Sequence, residues 1–321
     1  MNQNNQLIAA KYTLFGSTKY WILTNHGIST DFLTETGHNS DSTTQYVDVV
    51  FDFNTMDIIE FDNTTFNDFK VDWEQLLLGK SIKKDVIFLT KNPISRFIRA
   101  IVDEKIQILG NGGVSTNVFL RKSLYKNFGK ELSDEFFNWH NGKRFHELFQ
   151  EDNFIPLKFK KILEQIILDF IVPVFKNDNI KECINLYYES NHTYQNLYFL
   201  HNMWFNPPTN FLKEKVSIID IDREDILKLF NIKYGMGLSF EKDKYSNDFP
   251  YLIVRNSISN NTLYNDIEET LRAQLELWNS LIKKQYPVEI YNTTSMSPWV
   301  NEIETNNIEK RLNNYYIQNN E

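Results

Sequence analysis

DVIFLTKNPISRFIRAIVDE, residues 85–104, contains the change of hydrophobic period that decides the fold class. Its opening run, Val86 to Leu89, is apolar, flanked by polar residues and short enough for a buried strand. Asn92-Pro93 then supplies an N-cap and a proline at the first helical position. Beyond it, Ile94, Phe97, Ile98, Ile101 and Val102 fall at i, i+3, i+4, i+7 and i+8, one apolar stripe of a helix. Ser95, Arg96, Arg99 and Asp103 take the opposite side. A buried strand running straight into a capped helix presents backbone N–H groups at the joint, and Lys91, Arg96 and Arg99 surround this one with positive charge. That is the pattern of an anion site. The plain alternative is an ordinary β–α junction in which Arg99 pairs with Asp103 one turn on.

The segment resembles the second nucleotide-binding motif of the sulfotransferases. In that family a strand ends in Arg-Asp/Asn-Pro, and a serine follows on the next helix. Both contact the 3′-phosphate of the donor, 3′-phosphoadenosine-5′-phosphosulfate (PAPS). In this chain Lys91 stands in the arginine position, Asn92 and Pro93 keep the pattern, and Arg99 replaces the serine. Lysine serves a phosphate as a point charge and Arg99 would add a fork, a different geometry from the family's.

Earlier in the chain, KYWILTNHGIST spans Lys19 to Thr30. Tyr20 to Thr24 reads as a strand, Asn25-His26-Gly27 breaks it, and Ser29-Thr30 opens a short helix. The resemblance extends to this second strand–loop–helix joint, which sits where the family has a shortened P-loop around the 5′-phosphosulfate. Aligned on the hydroxyl pair, Asn25 takes the proline position and His26 the lysine, with Gly27 and Ile28 next and Ser29 and Thr30 as phosphate-binding hydroxyls. The lysine normally neutralises the bridging oxygen as the sulfuryl group leaves, and an imidazole does so only when protonated. A glycine turn with Ser29 as a helix N-cap is the competing reading. No GxxxxGK[ST] motif is present, which argues against an ordinary ATPase or kinase.

Between the joints, Tyr46–Phe53 and Asp57–Phe61 alternate as strands, and Val71–Gly79 reads as a short helix ended by glycine. Strands alternating with helices suit a mostly parallel sheet with ligands at the carboxyl ends of its strands. The expected architecture is therefore α/β: a P-loop-like, three-layer α/β/α fold, with residues 1–321 forming one domain and the tail from about 300 to 321 peripheral. No internal repeat and no linker divides the chain.

Length and composition are compatible with this. The chain has 321 residues, 41% of them hydrophobic and 15% aromatic, enough for a large buried core. A net charge of −8 argues against nonspecific nucleic-acid binding, so an anionic small molecule requires a local basic pocket. Cys183 is the single cysteine, which excludes an internal disulfide framework and a cysteine-rich zinc site. The start, MNQNNQLIAAKY, lacks the apolar core of a signal peptide and no run approaches membrane-spanning length, so a cytoplasmic location is expected.

Later segments add to the resemblance. Phe119 to about Gln150 is helical, and its His140 and His146 stand at a poor spacing for a helical metal site. Pro156–Lys176 reads as a long amphipathic helix that Pro173 kinks or ends. Asn191, His192 and Gln195 resemble a segment that lies beside the donor and acceptor clefts in carbohydrate-type sulfotransferases, although a capped loop with a satisfied histidine explains them equally well. VSIIDID, Val216 to Asp222, is a buried-strand candidate. Gly235–Asn261 reads as a loop-rich insertion, and DIEETLRAQLELWNSLIKK, within Tyr264–Tyr291, as a long helix.

Taken together, the resemblance implies in-line transfer of a sulfuryl group from PAPS to a hydroxyl or amine acceptor, glycans included, with no metal. His26, Gly27, Ser29 and Thr30 would cradle the 5′ side, Lys91 and Arg99 would hold the 3′-phosphate, and His192 or Asp52 would serve as base. The alternative is a catalytically degenerate protein of the same fold that binds a nucleotide or glycan without turnover.

Overall fold

The computed structural model describes residues 9–16, 20–24, 47–61, 67–112, 118–140, 155–176, 193–220, 248–259 and 263–285. In chain order their strands and α-helices are β1 (Ala9–Gly16), β2 (Tyr20–Thr24), β3 (Val47–Asp52), β4 (Ile58–Phe61), α1 (Asn67–Leu77), β5 (Asp85–Thr90), α2 (Pro93–Gly112), α3 (Val118–Phe128), α4 (Lys130–His140), α5 (Lys160–Phe170), α6 (Thr193–Phe205), β6 (Val216–Asp220), α7 (Asp248–Ser259), α8 (Leu263–Thr270) and α9 (Arg272–Gln285).

The six described strands form one sheet in the order β4-β3-β1-β2-β5-β6. β2–β5 and β5–β6 are parallel, while β1–β2, β1–β3 and β3–β4 are antiparallel. Among the described strands the sheet is thus mixed, where a mostly parallel one was expected. The connections explain the difference. Gly16 and Tyr20 are too close in sequence for a crossover, so β1 must turn back on β2, and the turn from Asp52 to Ile58 does the same for β3 and β4. Following the pairings, β2, β3, β5 and β6 all point one way and β1 and β4 the other.

The chain divides into two compact units: residues 1–96, 183–242 and 271–296 form the first, and 97–182, 243–270 and 297–321 the second. No linker marks them in the sequence because one boundary falls inside α2, between Arg96 and Phe97.

In the first unit an aromatic core lies on one face of the sheet. Phe51 packs on Trp73 of α1 at 4.8 Å and stacks on Phe199 of α6 at 5.0 Å. Tyr12 meets Phe88 edge-on at 5.1 Å, and Trp21 meets Phe69 at 5.5 Å. All seven of these packing partners of the sheet and helices are buried, each stabilising the unit by roughly 1.5–3 kcal/mol. Polar tips within this core find partners. Trp73 Nε1 donates to the Met56 carbonyl at 2.7 Å, and the Tyr12 hydroxyl donates to the Asn196 carbonyl at 2.7 Å. Asn196 also ties α6 to the backbone of β1, accepting from the Lys11 amide at 3.1 Å and donating to its carbonyl at 2.5 Å.

The second unit is helical among its described residues. Phe136 and Trp139 of α4 pack on Phe159 at 5.5 and 5.1 Å, and Phe97 meets Phe175 at 6.0 Å. Three sequence expectations are corrected here. The long helix expected over Pro156–Lys176 is a 3₁₀ turn (Leu157–Phe159), then α5, then a second 3₁₀ segment (Val172–Lys176) containing Pro173. The supposed loop-rich insertion contains α7, which buries Tyr251, Leu252, Val254 and Ile258. Further on, the helix expected over 266–284 is α8 and α9, broken at Leu271.

Candidate functional site

The first unit's parallel strands converge on one edge. Thr24 ends β2, Thr90 ends β5, and Asp220 ends β6 in register with Thr90. Among the described strands, the one that follows β2 is β3, beyond β1, whereas the one that follows β5 is β6, on the other side. Connections that diverge from neighbouring parallel strands leave a crevice at their carboxyl ends, the usual ligand position in such sheets. All three terminal residues are buried although polar or charged.

The β5–α2 joint forms as its sequence dictates. Pro93 begins the helix, and the Asn92 side chain caps it. Asn92 Oδ1 accepts from the Ile94 amide at 2.9 Å and from the Ser95 amide at 3.4 Å, and the Asn92 carbonyl accepts from the Arg96 amide at 2.9 Å. This corrects one expectation: the amides that were to be open to an anion are taken by the cap. What remains positive or donating is side chain. Asn92 Nδ2 is buried with no hydrogen-bond partner among the described residues. Lys91 is half-buried.

The polar side of α2 is also not a solvent face. Ser95 is 1% exposed and Arg96 3%, both in the first turn. A guanidinium in that position must be held by other groups, because an unpaired buried charge costs several kcal/mol. Its field reaches Tyr12, whose hydroxyl burial pushes well above its ordinary pKa while the Arg96 charge pulls the other way. Arg96 stands in the first turn of α2, following Thr90, Asn92 and Ser95 in sequence. The arrangement suits retention of an anion by fixed cations and an amide donor.

The sequence-selected residues fare differently. Asn25, His26, Gly27, Ile28, Ser29, Thr30 and His192 lie outside the described residues, as do His146 and Asp222. Lys91 follows β5 in the first unit. Arg99 belongs to the second unit, where its Nε stands 3.6 Å from Asp103 Oδ1 and its guanidinium lies 5.3 Å from the Tyr251 ring centre. This is the i, i+4 pairing of the plain junction. Gln195 begins α6 with its Oε1 buried and without a partner among the described residues. Asp52 closes the β3–β4 turn: its Oδ1 accepts the amides of Thr55 at 2.7 Å and Asn54 at 2.8 Å. The Thr55 amide, above all, holds its carboxyl below the usual range. A base for neutral pH needs the opposite shift, so Asp52 is a turn-former.

Arg96 was expected in the basic surround of the joint, and what periodicity did not report is that it and Asp220 are buried. Arg96 occupies the polar side of the helix, and Asp220, at the end of its strand, could be read either as orienting a base or as a helix-start acid. The available signal was their position one turn after, or at the end of, buried parallel strands. Among the described residues no group of three His, Cys, Asp or Glu side chains is arranged to hold a metal, and no helix is long and apolar enough to cross a membrane.

No family model matches the chain, and no solved structure matches it. The chain is similar to a protein of Borreliella burgdorferi whose name describes it as an ankyrin repeat protein, with 27% identity over 175 residues. That similarity covers 49% of this chain and 41% of the relative, so the chain spans less than half of the relative's length. The described residues here build a six-stranded sheet rather than an array of stacked helix pairs.

Proposed function

We propose that the chain is a divergent sulfotransferase with a three-layer, P-loop-like first unit, binding PAPS at the carboxyl edge of β2 and β5. The observation that carries this reading is the β5–α2 joint, where Asn92, Ser95 and Arg96 are all buried on the polar side of a capped helix. In this reading Lys91, Arg96 and the Asn92 amide hold the 3′-phosphate, and residues Asn25 to Thr30 surround the 5′ side. Protonated His26 neutralises the bridging oxygen as its bond to sulfur breaks. A hydroxyl or amine acceptor, such as a glycan, forms the new bond to sulfur and gives its proton to a base, for which His192 is the candidate. Transfer depends on alignment and charge at the leaving phosphate.

A second reading is favoured by Arg99. It replaces the family's serine and is already engaged by Asp103 and Tyr251, as befits a protein of this fold that binds a nucleotide or glycan without turnover. Calorimetry with 3′,5′-adenosine bisphosphate, the product common to the family, tests both. It should bind more tightly than adenosine 5′-phosphate by about 1.5–3 kcal/mol, the scale of a charge-assisted hydrogen bond. No heat of binding at concentrations approaching a millimolar would overturn the enzyme reading and the nucleotide-binding form of the second. Binding without consumption of PAPS across a panel of acceptors would select the second.

A further inference from the structure

We propose that the amino edge of the first unit's sheet docks the protein on an anionic lipid surface. β5 and β6 are parallel and in register from Val86 and Val216, so the segments that enter them arrive side by side, at the strand spacing of about 4.8 Å. One reads KSIKKD, residues 80–85, and the other KEK, residues 213–215. The Leu212 amide donates to the Leu76 carbonyl at 3.1 Å, which ties the two approaches together. Lys283 and Lys284 lie in the last turn of α9. Lys284 joins the same cluster: burial pulls the Lys213 ammonium below its usual pKa, and the Lys284 charge adds to that. The edge thus gathers seven lysines and two acids, in a chain whose net charge is −8.

Few carboxylates answer these charges. Asp85 is taken by Lys215 at 3.1 Å, and Asp72 accepts from Trp21 Nε1 at 2.8 Å. Glu214 and, one turn before Leu78, Glu74 are exposed acids beside the edge. Lys80, Lys83, Lys283 and Lys284 are exposed and form no ion pair among the described residues. Lys84 Nζ stands 3.9 Å from the Trp21 ring centre and Lys213 Nζ 4.3 Å from that of Trp204, which fixes two of the cations at the edge. Lys213 also donates to the Trp204 carbonyl near the end of α6. Negative charge elsewhere on the molecule is screened beyond about 8–10 Å at physiological salt.

Apolar side chains stand beside the lysines. Leu78, two residues before Lys80, is 58% exposed, and Phe205, next to Trp204 at the end of α6, is 39% exposed. Lysines around exposed apolar side chains match the boundary of a bilayer, where leucine and phenylalanine enter the headgroup region and the ammonium groups stay at the phosphates. A nucleic acid would engage the lysines but leave Leu78 in water. Trp21, the ring of the edge suited to stacking on a base, is buried beneath Lys84. A second copy placed edge to edge would set lysine against lysine. The edge is the opposite end of β5 from Lys91 and Asn92, so the inference stands apart from the nucleotide reading.

Co-sedimentation of the whole chain with vesicles of phosphatidylcholine, alone or mixed with phosphatidylserine, tests it. The wild type should sediment with the mixed vesicles only and release at about 0.5 M salt. Lys283→Glu with Lys284→Glu should lower partition at least ~10-fold, and Leu78→Ser about 3-fold or more. Lys126→Glu with Lys130→Glu, exposed in the second unit, should leave it within about 2-fold. Thermal melts check folding, and Lys80→Glu with Lys83→Glu replaces the α9 pair if that variant unfolds. No sedimentation with phosphatidylserine at low salt overturns the proposal, as does unchanged partition of the folded edge variants or an equal loss in the second-unit pair. So does tighter binding to a single-stranded oligonucleotide that Leu78→Ser leaves unchanged, or Leu78-dependent dimerisation in free solution.

Discussion

Asn92 combines two tasks that a pair of substitutions separates. Its Oδ1 caps α2 through Ile94 and Ser95, whereas its Nδ2 is a buried donor with no partner among the described residues. Removing the cap in Asn92→Ala should cost about 1 kcal/mol in chemical denaturation. Asn92→Asp keeps an acceptor of nearly equal capping strength but puts negative charge where the anion is proposed to sit. Stability should then remain within ~1 kcal/mol of wild type while affinity for 3′,5′-adenosine bisphosphate drops at least ~10-fold, the scale of a lost charge-assisted bond. Unchanged nucleotide affinity in Asn92→Asp would reduce the residue to a cap. The cap itself was legible in Asn92-Pro93, since that dipeptide states its local geometry. The burial of Arg96 was not, because helical periodicity reports the apolar stripe and says nothing about what covers the other side.

Elements were legible where the local signal was self-sufficient. The reading of β2 as Tyr20–Thr24 coincides with the observed strand, and β5 and the start of α2 follow Val86–Leu89 and Pro93 closely. β1 was unread although Ala10, Tyr12 and Leu14 alternate with Lys11 and Thr13, because one of those buried side chains is small, one is hydroxylated, and the buried Phe15 breaks the period. α7 was unread because the polar residues before it dominate the window. Helix ends give a sharper test. Gly79, after α1, has φ of +73°, and Lys80 N–H returns to the Gln75 carbonyl at 2.8 Å, a Schellman closure. Gly129, between α3 and α4, has nearly the same φ, +78°. A β-carbon at Gly79 would stand 2.8 Å from the Asn210 carbonyl oxygen, whereas at Gly129 it meets nothing within 4 Å. Gly129→Ala should therefore cost about 1 kcal/mol, the left-handed backbone penalty alone. Gly79→Ala should cost roughly 1–3 kcal/mol more, because backbone rather than a flexible tip must yield. Equal losses, measured by amide exchange of α1 and α3, would mean that Asn210 moves away freely.

At the scale of the whole molecule, the strands expected to lead into the two joints are parallel neighbours, β2 beside β5, while the loop and helix expected after β2 lie outside the described residues. The sequence did not locate the reversed β1 and β4 or the boundary inside α2, since strand partners and compact units depend on contacts distant in sequence. The consequence for function is that hydrogen exchange locates the nucleotide proposed for the β2–β5 edge. If 3′,5′-adenosine bisphosphate binds at the carboxyl edge of β2 and β5, at about 100 times its Kd it stabilises the bound state by about 2.7 kcal/mol. Amides that exchange only by opening that edge should slow by up to ~100-fold, so peptides covering 20–30 and 85–96 should show the effect while those covering 118–140 do not. Nucleotide protection confined to 118–140 would place the ligand away from Lys91, Asn92 and Arg96 and sink the site assignment. Protection of 85–96 in the wild type that is lost in Asn92→Asp would tie the bound phosphate to the β5–α2 joint.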